Sequence, residues 1–206
     1  MDRNARRIAA LLIALCAAAQ AAAEPLPARF DAPVAPRGPD PRLFDEAVLL
    51  LVNRERLRAG LKPLAIDRGL SRVSARQAGN MAAARRMAHR LSDAKEARLV
   101  GRLDAERVRY RRAGENIAMD KVYRLLGRPI SARVKGCAFT YADTRAPVPV
   151  QSHGSLAQSV VARWMASPGH RANILAPQFR RTGAGAALDL GGPACGDVYL
   201  AQAFAD

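Results

Sequence analysis

Residues 164–175 contain a histidine in the run Ser-Pro-Gly-His, and this histidine is a candidate for chemistry. Ser167 is a favourable helix N-cap, and Pro168 suits the first helical position because an N–H there would have no partner. His170 would then lie in the first turn of a short helix, where the positive end of the helix dipole disfavours a protonated ring. We expect either a neutral imidazole that binds a metal or accepts a proton, or a histidine that only hydrogen-bonds within the core.

A second histidine, His153, stands beside Ser152 and close to Ser155. This spacing resembles a fragment of a serine–histidine catalytic group. However, residues 142–154 are predicted to be a proline-bearing loop, and no carboxylate is evident there to orient the ring. The sequence therefore gives little support for catalysis by His153.

Hydrophobic spacing predicts the elements that would position these side chains. Apolar residues recur every three to four positions, as is typical of amphipathic helices, over residues 42–59, 68–88 and 156–165. A further helix is predicted over residues 93–108, within a strongly charged stretch. Shorter β-like runs occupy residues 130–141, 182–188 and 198–204. This mixture predicts an α/β (α+β) sandwich made of helical and sheet layers.

The N-terminal residues have the pattern of a secretory signal peptide over residues 1–23. Three arginines precede an apolar run over residues 8–19, and the alanines at 21–23 fit a cleavage site before Glu24. The run is too short to span a membrane, so we expect no transmembrane segment after cleavage. A proline-rich flexible tether over residues 24–41 and a single domain over residues 42–206 would follow. We therefore expect a secreted or periplasmic protein.

The chain is strongly basic, and export limits the partners that this charge can have. The formal net charge is +15, and it falls to +13 without residues 1–23, which carry three arginines and one aspartate. Outside the cell, an acidic envelope polymer is a more natural partner than nucleic acid, and the arginines are not interleaved with aromatic residues as in single-strand binders. The alternative is that the charge only keeps the protein soluble.

Two cysteines remain once residues 1–23 are removed, Cys137 and Cys195. An even pair in an oxidising compartment predicts a disulfide. Neither cysteine has a histidine at zinc-finger spacing, which argues against a thiolate metal site.

Five segments, taken in chain order, resemble the CAP superfamily of cysteine-rich secretory, antigen 5 and plant pathogenesis-related proteins (the SCP domain). They are residues 51–56, residues 87–89, Gly-Glu-Asn-Ile-Ala at 114–118, Ser-Pro-Gly-His-Arg-Ala-Asn-Ile-Leu at 167–175, and residues 199–204. The resemblance is to the bacterial secreted branch and covers residues 43–205. It implies a three-layer α-β-α sandwich with a central antiparallel sheet and a surface cleft.

The resemblance also implies which residues line that cleft. Family members use two histidines and two glutamates, sometimes around a divalent cation, and His89, Glu115 and His170 match three of these four. Ser167 stands where the second glutamate, three residues after Trp164, would be. The remaining trio would form a zinc-type ligand set for Zn or another divalent cation, or a metal-free general base oriented by a carboxylate.

Glu115 and His89 each have an alternative structural interpretation. From the residues alone, Glu115 is equally consistent with a carboxylate that fixes a turn. His89 is equally consistent with a hydrogen-bonded structural histidine.

We predict a secreted or periplasmic CAP-domain protein whose cleft binds a small ligand or a divalent metal. Whether it is an enzyme stays open. One alternative is a hydrolase that uses His89, Glu115 and His170, with or without zinc, on cell-wall or peptide substrates. The other is an envelope-adhesion module that binds anionic polymers through its basic charge. The resemblance further implies a lipid or another cell-envelope component as a partner.

Overall fold

The computed structural model describes residues 24–35, 38–92, 94–132, 137–192 and 195–206, and the predicted signal peptide lies outside these ranges. Within them the α-helices are α1 Pro41–Arg58, α2 Arg68–Ala84, α3 Leu99–Ala105, α4 His153–Ala166 and α5 Pro168–Ile174. The strands are β1 Ala65–Ile66, β2 Ala113–Lys121, β3 Ile130–Ala132, β4 Phe139–Tyr141, β5 Arg181–Asp189 and β6 Asp197–Ala205. Short 3-10 helices occupy Ala28–Asp31 and Lys95–Ala97. None of the helices in the described ranges has the length and apolar character needed to cross a membrane.

The central sheet has the strand order β1-β5-β6-β2. Strand β6 pairs antiparallel with both β5 and β2, so that Ala203 lies opposite Gly183 on one side and Glu115 on the other. The predicted α/β (α+β) sandwich is confirmed. The sheet is mixed rather than purely antiparallel, because the two-residue strand β1 runs parallel to β5 at the edge.

Strand β6 shows why the fold has three layers, since it is buried along its whole length. Successive side chains of a strand point to opposite faces of the sheet. Val198, Leu200 and Phe204 join the core that also contains residues of α1, α4 and α5. Tyr199 and the alanines at 201, 203 and 205 pack instead with residues of α2 and α3. Helices therefore cover both faces of the sheet.

Helix α2 lies unusually close to β5. A Cβ atom added at Gly183 would overlap the backbone nitrogen of Ser71, and one added at Gly185 would overlap that of Ala75. The Ser74 hydroxyl donates a 2.7 Å hydrogen bond to the Gly183 carbonyl, so helix and strand are joined directly. This contact fixes α2, and with it the start of the segment that carries His89.

Two of the predicted helices are shorter in the structure. Helix α2 ends at Ala84 rather than near residue 88, because Arg85 adopts a left-handed conformation with φ 48° and closes the helix. The helix predicted over residues 93–108 is instead the 3-10 turn Lys95–Ala97 followed by α3.

The predicted β run over residues 130–141 contains two short strands, which we call the hairpin. Strands β3 and β4 pair antiparallel as a separate two-stranded sheet. Cys137 lies between these strands, and its predicted disulfide with Cys195 is formed, with a Cα–Cα distance of 5.7 Å. The disulfide thus ties the hairpin to the connection between β5 and β6.

The described part of the proline-rich segment does not extend away from the domain as a tether. Phe30 and Val34 are fully buried in the core shared with α1 and α4. The Val34 N–H donates a 2.9 Å hydrogen bond to the Gln151 carbonyl. The prolines restrict the backbone without preventing packing, and these two apolar side chains provide the anchors.

Candidate functional site

Strand β2 positions Glu115. Glu115 lies opposite Ala203 within the paired strand, so the alternative of a turn at this position is wrong. The side chain is almost completely buried, with 4% of it exposed. Since residues two apart on a strand share a face, Glu115 points to the same face as Ile117, which packs on α2. Asn116 consequently points to the opposite face.

A buried arginine compensates the charge of Glu115. Arg102 of α3 is fully buried and donates from Nη2 to Oε2 of Glu115. Its Nη1 also donates to the Ala97 carbonyl at 3.1 Å. A carboxylate out of contact with water is stable when it is both paired and hydrogen-bonded, and Arg102 supplies both conditions.

Sequence reasoning missed Arg102. It is one of seven arginines between residues 90 and 112, and the others there give no sign that this one is buried. The available signal was weak: Gly101 and Leu103 flank it, and both are buried residues of a short helix. Gly101 must lack a side chain because a Cβ atom there would overlap the Lys95 carbonyl.

His89 completes a chain of contacts that runs from the interior to the surface. Its Nδ1 lies 2.8 Å from Oε1 of Glu115, and 58% of its side chain is exposed. Because a carboxylate only accepts hydrogen bonds, the proton of a neutral ring belongs on Nδ1. The Nε2 lone pair is then left for another partner. Gln77 steadies this segment by donating a 2.7 Å hydrogen bond to the Ala88 carbonyl.

Helix α5, which carries His170, packs beside strand β2. The Asn116 side chain donates to the His170 carbonyl at 3.2 Å, and Asn173 donates to Oδ1 of Asn116 at 2.8 Å. These contacts tie α5 to β2. Ser167 occupies the N-cap position as predicted, although its side chain makes no capping hydrogen bond. We refer to His89, Glu115 and His170 together as the histidine site.

The electrostatics of His170 favour a neutral ring. Burial lowers the pKa of His170 below its ordinary value of 6.5, and the nearby His89 lowers this pKa further. The expected neutral imidazole therefore has a cause other than the helix dipole that the sequence suggested. The two rings are thus near enough to interact electrostatically, although they are 81 positions apart in the sequence.

The predicted zinc-type ligand set can be tested against the contacts of its members. Both oxygens of Glu115 are engaged, one by Arg102 and the other by His89. Within the described ranges, no group of three or more histidine, cysteine, aspartate or glutamate side chains is gathered in a way that could hold a metal ion. Imidazole nitrogens of His89 and His170 are thus the donors that a cation would meet. A metal at this trio stays a prediction.

His153 has a structural role. It is the first residue of α4 rather than part of a loop, and it is 2% exposed. Its Nδ1 lies 2.6 Å from the Ala32 carbonyl, and its Nε2 accepts a 2.7 Å hydrogen bond from the Asp40 N–H. Ser152 and Ser155 form the capping box of the same helix. With both nitrogens engaged, the ring has no position left for catalysis.

Comparison with known proteins identifies the family. The family model described as "CAP: Cysteine-rich secretory protein family" matches residues 49–204, about three quarters of the chain. The chain belongs to the CAP family. No curated protein matches its sequence.

Solved structures share the CAP fold of this chain. An extracellular SCP-domain protein of Bacillus anthracis str. Ames aligns with a TM-score of 0.54 and 23% identity over 80% of this chain. An outer surface protein of Borrelia burgdorferi aligns with a TM-score of 0.54 and 14% identity over 81% of this chain. The alignment spans 40% of the Bacillus protein and 96% of the Borrelia protein. The chain therefore spans less than half the length of the Bacillus protein and nearly all of the Borrelia protein.

Proposed function

We propose that this CAP-domain protein is exported and that its histidine site binds a small ligand between the rings of His89 and His170. The observation that carries the proposal is the 2.8 Å contact between Nδ1 of His89 and the buried Glu115 carboxylate. A fixed ring with a free Nε2 is prepared for a ligand, since binding then costs little conformational entropy. Glu115 and Arg102 act in this proposal by orienting His89.

A divalent cation is the simplest ligand for two imidazole rings. Glu115 would then support the cation through His89, as carboxylates commonly do for histidine ligands. The remaining positions around the cation would belong to water or to a bound small molecule. Zinc is accordingly the probe with which we would begin.

Titration calorimetry with zinc chloride tests the histidine site. We expect one zinc ion per chain in the wild type and no measurable uptake in the His89→Ala/His170→Ala double variant. Glu115→Gln should weaken binding by roughly 10- to 100-fold because the orienting carboxylate is lost. Glu106→Gln is the matched control, since Glu106 pairs with Arg72 and Arg76 instead. Equal zinc uptake by the wild type and the double variant would rule out both histidines as ligands.

Nuclear magnetic resonance of the histidine rings gives an independent readout. The nitrogen shifts of His89 should report a proton on Nδ1, and zinc should move the signals of His89 and His170 together. His153 provides an internal control, because both its nitrogens are engaged within the protein. If zinc shifts His153 as strongly as the other two, binding is not specific to the histidine site.

A hydrolase that uses His89 as a general base is a second candidate, favoured by the same pairing of a histidine with a buried carboxylate. Peptidoglycan fragments are the substrates to try, given the export proposed for the chain. Hydrolysis should fall at least about 100-fold in His89→Gln and also fall in Glu115→Gln. Activity that persists at the wild-type level in both variants would dismiss this candidate.

Export is supported by the N-terminal sequence and by the two structural relatives, one extracellular and one on the outer surface of its cell. We expect mass spectrometry of the exported protein to find Glu24 as the first residue. Ala23→Arg, which places a large charged residue at the cleavage site, should leave the uncleaved form. An exported wild-type protein that still contains residues 1–23 would contradict the proposed signal peptide.

A further inference from the structure

A groove of about 500 Å³ lies where three parts of the chain meet at one end of the sheet. Residues 109–111 precede β2, residues 178–181 lead into β5, and Asp206 follows β6. We call it the arginine groove, and its lining includes Arg109, Tyr110, Arg111, Gln178, Arg180 and Arg181. The histidine site contributes no residue to this lining.

Two charged residues of the arginine groove are occupied by structural contacts. Arg181 forms an ion pair with Asp67 at 2.6 Å, and it donates to the backbone carbonyl of Arg109 at 2.5 Å and to a main-chain carboxyl oxygen of Asp206 at 2.7 Å. The Asp206 carboxylate accepts hydrogen bonds from the backbone N–H groups of Arg111 and Arg112 at 2.8 and 3.2 Å. These contacts hold the three parts of the chain together.

The other three arginines of the groove add positive charge beyond that used in these structural contacts. Arg109, Arg111 and Arg180 are exposed. Among the residues that the structure describes, none of the three forms an ion pair with a carboxylate, although Arg111 lies close enough to attract that of Asp206. Arg180 donates to the backbone carbonyls of Pro177 and Phe179, and these neutral acceptors leave its charge uncompensated. The three parts of the chain that form the walls of the groove therefore carry more positive than negative charge.

The excess of guanidinium groups in the groove indicates which kind of anion it would bind. A carboxylate offers two oxygens in one plane, which a single guanidinium can satisfy. A phosphate group offers oxygens in several directions, so guanidinium groups from different walls can bind it together. Tyr110 and Gln178 add a hydroxyl and an amide at the same groove. We propose that the arginine groove binds a phosphate-bearing ligand, either a soluble phosphodiester or the headgroup of an anionic lipid.

Binding assays on the full chain test this proposal with three probes. The probes are inorganic phosphate, a synthetic glycerol-phosphate oligomer, and vesicles of phosphatidylglycerol mixed with phosphatidylcholine. We expect the oligomer or the vesicles to bind. The triple variant Arg109→Gln/Arg111→Gln/Arg180→Gln should bind at least about tenfold more weakly, because several charge-assisted hydrogen bonds are lost. Arg181 is kept in this variant because it holds the groove together.

The control removes the same charge elsewhere. Arg68, Arg124 and Arg145 are exposed, and replacing all three with glutamine lowers the net charge equally. A loss limited to the groove variant supports the proposal, and thermal melting checks that both variants fold. Equal losses in the two variants would overturn it, because general electrostatic attraction would then explain the binding. Failure of both the oligomer and the vesicles to bind the wild type would overturn it as well.

The three probes also identify the source of the phosphate. Binding of vesicles alone assigns the groove to lipid headgroups, and binding of the oligomer assigns it to a soluble phosphodiester. Binding of inorganic phosphate alone would overturn the proposal, because neither proposed ligand would then be recognised. The proposal stands independently of the histidine site. The His89→Ala/His170→Ala variant should therefore keep the wild-type affinity for the bound probe.

Discussion

Arg102 and Glu115 depend on each other because both charges are buried. Replacing one partner of such a pair leaves the other charged, without solvent and without compensation. The cost of that arrangement exceeds what the pair contributes when it is intact. The same pair orients His89, so stability and the geometry of the histidine site are linked through one carboxylate.

Glu115→Gln should therefore lower the free energy of unfolding by about 3–5 kcal/mol, because the positive charge of Arg102 stays buried without its partner. Urea unfolding measures the change. Glu55→Gln is the control, since Glu55 pairs with Arg58 at the surface and its loss should cost less than about 1 kcal/mol. Similar losses in the two variants would mean that the buried pair of Glu115 and Arg102 is no more important for stability than an ion pair at the surface.

His170 predicts a pH dependence of stability. Its pKa is lower in the folded protein than in the unfolded chain, so the unfolded chain takes up more protons as pH falls below about 6.5. Stability should consequently decrease as pH drops through this value toward the folded-state pKa, and level off below it. His170→Gln should flatten the change between about pH 7 and pH 5, measured by urea unfolding with a chelator present.

The neighbouring residue supplies the control for this pH effect. Arg171 is exposed and keeps its charge throughout the range, so Arg171→Gln should preserve the wild-type slope. The explanation fails if His170→Gln has the same slope as the wild type.

At the scale of elements, the contact between α2 and β5 requires glycine on the strand. A methyl group at position 183 or 185 would meet helix backbone, which cannot move as a side chain can. Gly183→Ala and Gly185→Ala should each destabilise the protein by about 2 kcal/mol or more, as seen in thermal or urea unfolding.

Gly79 of α2 offers the matched substitution. A Cβ atom there has nothing within 4 Å, so Gly79→Ala should stabilise the helix by about 0.5–1 kcal/mol. A protein that tolerates alanine at 183 and 185 as well as it does at 79 would refute the close packing of helix on strand.

The elements that the sequence predicted well are those in which apolar residues follow a simple local pattern. The spacing of apolar residues in α1 and α4 follows directly from the face that each helix buries, and the largely apolar run of β6 reflects burial of both its faces. Arg102 and the partners of His153 could not be predicted in this way. His153 bonds to Ala32 and Asp40, which are 121 and 113 positions away, and no local pattern encodes such contacts.

The members of the histidine site were found through motifs, and their roles were not. The resemblance selected His89, Glu115 and His170 as equivalent ligands. The contacts distinguish them: Glu115 is buried and fully engaged, whereas His89 is largely exposed. That difference arises from α3, whose arginine reaches the carboxylate from a segment that the motifs do not include.

At the scale of the whole molecule, the disulfide limits how far the unfolded chain can expand. Cys137 and Cys195 are separated by 58 positions. Chain-entropy arguments give such a loop about 4 kcal/mol of stabilisation. Reduction should lower the free energy of unfolding by an amount of this order, measured in urea with and without a thiol reductant.

The Cys137→Ser/Cys195→Ser double variant should have the stability of the reduced wild type and should not respond to the reductant. A wild type that is equally stable in both conditions would show that this crosslink adds nothing to the folded state.

The buried ring of Phe30 also bears on where the protein can be cut. Amino-acid composition alone would place the start of the folded unit near Asp40, after the prolines. A shortened chain that began there would lack the aromatic plug beneath α4 and the carbonyl that His153 needs, leaving a void and a buried imidazole with an unmet hydrogen bond. Recombinant versions should therefore retain everything from Glu24 onward.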